Sequence, residues 1–136
     1  GIPLRLEMGP RDIENGECVL VRRDTFEKIT AKLDNLEETI TKLLDEIQQN
    51  MYDTCKKRMK AKTTIAHNLE EFQANMNKEQ GFIKAMWCGS AECEEKIKEL
   101  TAAKSRCMPF EQEHIGDTCV CCGKKADKMV IWGRQY

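Results

Sequence analysis

The sequence lacks long hydrophobic runs and has few aromatic residues. No apolar stretch approaches the roughly 20 residues that a membrane-spanning helix needs, and only 6% of the 136 residues are aromatic. The 22 basic and 23 acidic side chains give a formal net charge of -1. No overall positive charge therefore attracts nucleic acid, and a contact with RNA requires a local basic patch. This composition is typical of a soluble and largely helical protein.

The common motifs of catalytic and nucleotide-binding sites are also missing. The sequence contains no P-loop, no G-x-G-x-x-G and no H-E-x-x-H segment. Its two histidines, His67 and His114, stand apart from any arrangement of nucleophile and carboxylate. We therefore expect no catalytic residue in this chain.

Cysteine, in contrast, is abundant, with eight residues. A cysteine-rich chain can be a secreted disulfide scaffold, but 33% charged residues and a long helical pattern favour reduced thiols in the cytoplasm. Four of the cysteines form two pairs, Cys88-x4-Cys93 and Cys119-x2-Cys122. Each pair can supply two thiolates from a tight turn, and two such pairs predict a closed tetrahedral site for structural zinc.

Two features of this predicted zinc site stay open at the level of sequence. The cysteines could instead be ordinary buried thiols, since free cysteine is often a core residue. Cys121 also competes with Cys122 for one ligand position, and we favour Cys122 because Gly123 follows it directly, as in the usual zinc knuckle. We expect Cys93 in the first turn of a helix, where the helix dipole lowers a thiol pKa.

Hydrophobic periodicity predicts an α+β fold. Alternating residues predict an antiparallel hairpin from strands at 2–8 and 18–22. Steps of three and four then predict a helix that begins near Asp24 and extends for up to ~38 residues. Cap and turn signals predict the later elements, which are a helix from Asn68 to about Lys78, strands at 81–87, 106–110 and 128–132, and a helix at 91–102.

This pattern divides the chain into three predicted parts. Residues 1–28 form the end of one domain, residues 29–66 a helical connector, and residues 67–136 a small α/β zinc-binding domain. Because the chain starts at Gly1 without an initiator methionine and a single hairpin cannot stand alone, we expect a fragment of a larger protein. Basic side chains around the hairpin could meet RNA or form an ordinary solvated sheet edge.

Short segments along nearly the whole chain match one known family in the same order. They include Gly1-Ile-Pro-Leu-Arg-Leu-Glu-Met-Gly-Pro-Arg-Asp12, Trp87-Cys-Gly-Ser-Ala-Glu-Cys93, Ala103-Lys-Ser-Arg-Cys-Met-Pro-Phe110 and Trp132-Gly-Arg-Gln-Tyr136. The chain resembles the C-terminal part of prolyl-tRNA synthetases of the archaeal and eukaryotic-like type. The resemblance implies that the first predicted part ends an anticodon-binding domain and that the last is the C-terminal zinc-binding domain.

The resemblance also implies an activity for the whole enzyme. Such an enzyme activates proline with ATP and Mg2+ and joins it to tRNA(Pro) in a class II catalytic domain outside this segment. The segment itself would bind tRNA and support the enzyme without catalysing the reaction. The full-length enzyme would be a cytoplasmic homodimer formed through regions outside the segment.

Individual residues match positions with known roles in this family. Arg5 and Lys28 match positions that contact the anticodon, whose last two letters are both guanine for proline. The terminal Tyr136 is similar to the end residue that reaches towards the catalytic domain. The family's zinc ligands match Cys88, Cys93, Cys119 and Cys122.

Two other classes of protein are compatible with the sequence. One is a non-enzymatic interaction module, in which a zinc knuckle and a coiled-coil helix bind protein. Residues 26–47 fit a heptad repeat, but the spacing changes to steps of four after Ile47, which favours packing against the chain itself. The other is a stand-alone RNA-binding zinc protein.

Overall fold

Two β-sheets organise the part of the chain that the structure describes, residues 1–78 and 81–135. The computed structural model has one sheet in each of two units, residues 1–57 and residues 58–136. Helices and strands occur in both, so the predicted α+β class is confirmed. In chain order the elements are β1 (Leu4–Glu7), α1 (Pro10–Glu14), β2 (Glu17–Arg22), β3 (Lys28–Lys32), α2 (Leu36–Ala61), β4 (Thr63–Ile65), α3 (Leu69–Lys78), β5 (Phe82–Trp87), α4 (Ala91–Thr101), β6 (Ala103–Cys107) and β7 (Lys128–Arg134).

The first unit contains a three-stranded antiparallel sheet in the order β1-β2-β3, followed by most of α2. The inner face of β2 buries Cys18 and Leu20 completely. These side chains pack with Ala31 of β3 and Leu43 of α2, so the helix covers this face of the sheet. Because Leu43 and Ile47 of α2 are buried on their own chain, this packing argues against a coiled-coil seam over residues 26–47.

The predicted hairpin is confirmed as β1 and β2, but the predicted start of the long helix is wrong. Residues 28–32 form β3, a 3-10 turn follows at Leu33–Asn35, and α2 begins only at Leu36. Ile29 and Ala31 also fit an alternating pattern, and they pair opposite residues on the inner face of β2. Burial against a neighbouring strand therefore outweighs the helical spacing of these residues.

The boundary between the two units lies between Lys57 and Arg58, inside α2. The predicted connector, residues 29–66, thus contributes to both units. Its first residues pair with β2 as β3, and its last residues include β4 of the second sheet.

The second unit has a four-stranded sheet in the order β4-β5-β7-β6. β4 runs parallel to β5, and the other neighbours are antiparallel. Phe72 of α3 and Ile97 of α4 enter a core with Trp132 of β7, and all three side chains are fully buried. The rings of Phe72 and Trp132 meet edge to face with centroids 6.1 Å apart, which is a favoured aromatic geometry.

Most predicted elements of this unit are confirmed, namely α3, β5, α4 and β7. α3 begins as predicted because Asn68 Oδ1 accepts a hydrogen bond of 2.8 Å from the backbone N–H of Glu71. The strand predicted at 106–110 is displaced to Ala103–Cys107, since Pro109 has no N–H to donate to a sheet. Periodicity does not predict α1 or β4, because segments of five and three residues are too short to show it.

None of the helices in the described ranges combines the length and the apolar character that crossing a membrane requires.

The end of α4 generates a stability prediction. Ala102 adopts the left-handed conformation with φ of 58°, which costs a residue with a Cβ atom about 1 kcal/mol. Glycine is the usual residue at such helix ends. We expect Ala102→Gly to raise the free energy of unfolding by about 1 kcal/mol in urea denaturation.

Ala91→Gly is the matched control, since Ala91 is exposed at the other end of the same helix and has no positive φ. It should leave the free energy of unfolding unchanged or lower it. Equal stabilisation by both glycines would contradict the assignment of strain to Ala102.

Candidate functional site

The structure brings together the four cysteines of the predicted metal site. Cys88 begins the turn after β5, Cys93 lies in the first turn of α4, and Cys119 and Cys122 flank a second turn. Their sulfur atoms all lie within 4.8 Å of one another. The distance from Sγ of Cys88 is 3.7 Å to Sγ of Cys93 and 3.8 Å to Sγ of Cys122. These four thiols, a donor set that metal ions use in proteins, can hold a metal ion.

Each of the two turns depends on a glycine. Gly89 has φ of +89° and Gly123 has φ of +70°, a region that only glycine enters without strain. In the second turn, the N–H of Gly123 donates to the carbonyl of Cys119 at 2.9 Å, and the N–H of Cys119 donates to the carbonyl of Lys124 at 2.7 Å. Backbone hydrogen bonds therefore hold this turn in the shape that presents its two thiols.

The pKa values of three thiols are shifted in different directions. Burial raises the pKa of Cys93, and hydrogen bonds with Cys122 and Cys88 raise it further. The backbone N–H of Ser90 lowers the pKa of Cys88, but burial and hydrogen bonds with Cys119 and Cys122 outweigh it, so that pKa is raised. The backbone N–H of Lys124 lowers the pKa of the exposed Cys122 to about 7. The prediction that the helix dipole lowers the pKa of Cys93 is therefore wrong, because burial dominates.

Cys121 lies outside this group of thiols. It is half-buried and packs against the two hydrophobic clusters of the second unit, which centre on Trp132 and on Met129. The role predicted for Tyr136 falls on a residue outside those that the structure describes.

The open face of the first sheet brings together the two residues predicted to contact an anticodon. Arg5 of β1 lies opposite Val21 of β2, which lies opposite Lys28 of β3, so the three form one row across the sheet. The side chains of Arg5 and Lys28 are 66% and 65% exposed. The opposite face of these strands packs against α2, which leaves this row facing away from the core.

An acidic residue lies next to this row on the same face. Arg5 Nη2 is 2.5 Å from Glu7 Oε1, and Lys28 Nζ is 3.7 Å from Glu7 Oε2. Sequence reasoning misses Glu7, although the alternation Arg5-Leu6-Glu7 places it on the face of Arg5. The open face thus carries two donors and one acceptor within reach of one another.

A partly buried ion pair supports the turn that leads into β3. Arg22 donates from Nη2 to Asp24 Oδ2 at 2.8 Å and from Nε to Oδ1 at 3.1 Å. Asn50 of α2 donates to Asp24 Oδ2 at 2.8 Å, and Arg22 also reaches Glu46 at 3.2 Å. The Arg22 guanidinium, with help from Asn50, holds the pKa of Asp24 well below its usual range. Asp24 therefore pairs with Arg22 and does not cap a helix with Glu27, because the chain continues into β3.

Comparisons with known proteins match two families to the chain, one over the first sheet and one over most of the second unit. A family described as an anticodon binding domain matches residues 1–43, and a family described as the C-terminal domain of prolyl-tRNA synthetase matches residues 69–136. Proline–tRNA ligases from Clostridium botulinum (strain ATCC 19397 / Type A) and Ruminiclostridium cellulolyticum (strain H10) are 55% and 52% identical over all 136 residues. The chain spans 28% of the length of each.

A solved structure is similar to the whole chain as well. It is a prolyl-tRNA synthetase from Cryptosporidium parvum complexed with L-proline and AMP, with a TM-score of 0.89 and 35% identity. The match covers 100% of this chain and 29% of that one.

The ion pair around Asp24 generates a prediction on stability and pH. We expect Asp24→Asn to lower the free energy of unfolding by about 3 kcal/mol at pH 7, because Arg22 loses the buried carboxylate that accepts two of its hydrogen bonds and keeps only the more exposed Glu46. Since the pKa of Asp24 is lowered on folding, its contribution is present above the unfolded-state pKa of about 3.9 and is lost below it. The difference between the two proteins should therefore shrink as the pH falls below about 4.

Urea denaturation at several pH values measures this difference. Asp45→Asn is the control, because Asp45 is exposed on α2, and it should change the free energy of unfolding by less than about 0.5 kcal/mol. A difference for Asp24→Asn that persists unchanged at low pH would contradict the linkage.

Proposed function

The chain belongs to the prolyl-tRNA synthetase family, whose C-terminal domain it contains, and we propose that it binds the anticodon of tRNA(Pro) for such an enzyme. The observation that carries this proposal is the match of residues 1–43 to an anticodon binding domain, combined with an open face that presents Arg5 and Lys28 in one row, on either side of Val21. Both are long, exposed donors, which suits contact with the edges of unstacked RNA bases.

We further propose that the whole protein is a proline–tRNA ligase. It would activate proline with ATP and Mg2+ and transfer it to tRNA(Pro) in the cytoplasm. Its relatives are much longer than this chain, which spans 28% of them, and we assign the catalytic residues and the sites for ATP and Mg2+ to the remaining part. The catalytic domain is then a partner of the two units described above, and the enzyme a homodimer formed through other regions.

The metal of the second unit is, in this proposal, a structural zinc ion. Cys88, Cys93, Cys119 and Cys122 would hold it, and the sulfur separations of 3.7 and 3.8 Å support this. Four sulfurs at ~2.3 Å from zinc in a tetrahedron lie about 3.8 Å apart. With four protein ligands the ion keeps no open position for a substrate, so it cross-links two turns and takes no part in the reaction.

The choice of the fourth ligand is testable. We expect purified Cys122→Ser protein to lose most of its zinc in elemental analysis, and Cys121→Ser protein to keep it, because Cys121 packs against the hydrophobic clusters. Chelation of the wild type should unfold the region after Gly81 first, as followed by hydrogen exchange of its amides, since metal binding contributes to the folding free energy.

The two serine variants serve as controls for each other, because Cys121 and Cys122 are adjacent in the chain. Zinc loss from Cys121→Ser but not from Cys122→Ser would reassign the ligand. A chelated protein with unchanged exchange after Gly81 would contradict a structural role.

The proposed tRNA contact predicts the effect of removing either cation. We expect Arg5→Ala and Lys28→Ala each to weaken binding of tRNA(Pro) by the full-length protein about tenfold, because each loses a hydrogen bond to a base edge. Lys32→Ala is the control. Lys32 lies on the same face of β3 as Lys28, but at the far end of the strand, where it is opposite Glu17 of β2.

Titration with labelled tRNA measures the dissociation constants. Equal affinity of Arg5→Ala, Lys28→Ala and the wild type would overturn the anticodon contact. A loss equally large for Lys32→Ala would mean that the face attracts phosphates without reading bases.

A further inference from the structure

Glu7 is the one acidic side chain in contact with the Arg5–Lys28 row among the described residues. On a surface that only attracts RNA phosphates, a carboxylate in contact with both cations would weaken binding, because it repels phosphate and neutralises part of the positive charge. Glu7 is half exposed, at 41%, so burial does not explain its place either. A ligand that offers hydrogen-bond donors would account for the Glu7 carboxylate at this position.

The strand register places all three groups within reach of one ligand. Arg5 and Glu7 are two residues apart on β1 and share a face, and Arg5 shares its row with Lys28. Each carboxylate oxygen of Glu7 faces a different cation. The contact with Lys28, at 3.7 Å, is longer than a good hydrogen bond, so the Lys28 ammonium can turn to a ligand at little cost.

An ionised carboxylate is acceptor-only and can take two parallel hydrogen bonds, whereas Arg and Lys side chains only donate. Of the four RNA bases, guanine alone presents two adjacent donors, N1–H and N2–H, beside an acceptor, O6. Adenine offers one donor beside an acceptor, cytosine one donor beside two acceptors, and uracil one donor between two acceptors. An acceptor pair flanked by cationic donors therefore complements the Watson–Crick edge of guanine, the edge that is free in a single-stranded loop.

We propose that Glu7 is a specificity-determining residue, whose carboxylate accepts hydrogen bonds from N1–H and N2–H of one anticodon guanine while Arg5 or Lys28 donates to its O6. This inference rests on the proposed function, which supplies the anticodon as ligand. It is consistent with the two guanines of the proline anticodon, although the chemistry of the three side chains selects guanine without them.

Inosine gives a direct test, because it keeps N1–H and O6 of guanine and lacks only the N2 amino group. The experiment measures dissociation constants of the full-length protein for tRNA(Pro) and for two variants, each with one of the two anticodon guanines replaced by inosine. In the wild type we expect one of the two replacements to weaken binding about tenfold, the loss of one hydrogen bond to a charged group.

The Glu7→Ala variant decides whether Glu7 receives that hydrogen bond. It should bind the guanine tRNA at least about tenfold more weakly than the wild type, and it should bind the sensitive inosine tRNA with the same affinity as the guanine tRNA. Glu17→Ala is the matched control. Glu17 lies on the same face of the sheet, but at the end of β2 that is away from the Arg5–Lys28 row. It should keep the full penalty for inosine.

The possible failures are distinguishable. If inosine costs the same factor in Glu7→Ala and in the wild type, Glu7 does not touch the N2 amino group, and the inference is overturned while the anticodon contact of Arg5 stands. If neither inosine replacement weakens binding to the wild type although Arg5→Ala does weaken binding, the inference about Glu7 is overturned and the proposed function stands. If Arg5→Ala also has no effect, the proposed function and the inference fall together.

Discussion

The close approach of four thiols is the main constraint on the turns of the second unit that carry them. Residues that are up to 34 positions apart in the chain place their sulfur atoms within 4.8 Å of one another. Met86, Met129 and Ala126 pack around this group, so the turns that carry the thiols are part of a hydrophobic cluster as well. The start of α4 and the approach to β7 are thereby held together at one end of the sheet.

This close approach has an electrostatic cost that a cation removes. Burial raises the pKa of Cys93, and the thiols around it act in the same direction, because several thiolates cannot remain close together without compensation. A coordinated thiol is deprotonated outright, since the charge of the metal ion outweighs the other local terms. The same cluster is thus unfavourable as four free thiolates and would be stabilised by a bound cation, in agreement with the proposed zinc ion.

The first unit separates its structural and its binding interactions onto the two faces of one sheet. The inner face buries Cys18 and Leu20 against α2, and the pair of Arg22 and Asp24 lies at the end of β2. The outer face carries no large buried residue and presents Arg5, Glu7 and Lys28. Because side chains alternate along a strand, packing on one face sets the direction of the charged side chains on the other. The packing of the inner face therefore positions the polar groups that are proposed to read RNA.

Much of the second unit could be predicted from the sequence, because its signals are local. Asn68 and Glu71 mark the start of α3, alternation marks β5, and the spacing of the cysteine pairs together with a following glycine marks the thiol cluster. Each of these signals is contained within a few residues. The α+β class and the membership of the chain in its family follow from the same local patterns in order.

Only the tertiary structure decided the features that depend on distant partners. Residues 28–32 fit a helix and a strand equally well by spacing, and pairing with β2 makes them β3. That pairing places Lys28 in the same row as Arg5 and brings both into contact with Glu7. It also leaves Asp24 outside a helix, where it binds Arg22 and Asn50. The sequence by itself determined which residues are candidates for the proposed chemistry, the four thiols and the two cations. The sheet decided which of them meet, because contacts between strands join residues that no local pattern relates.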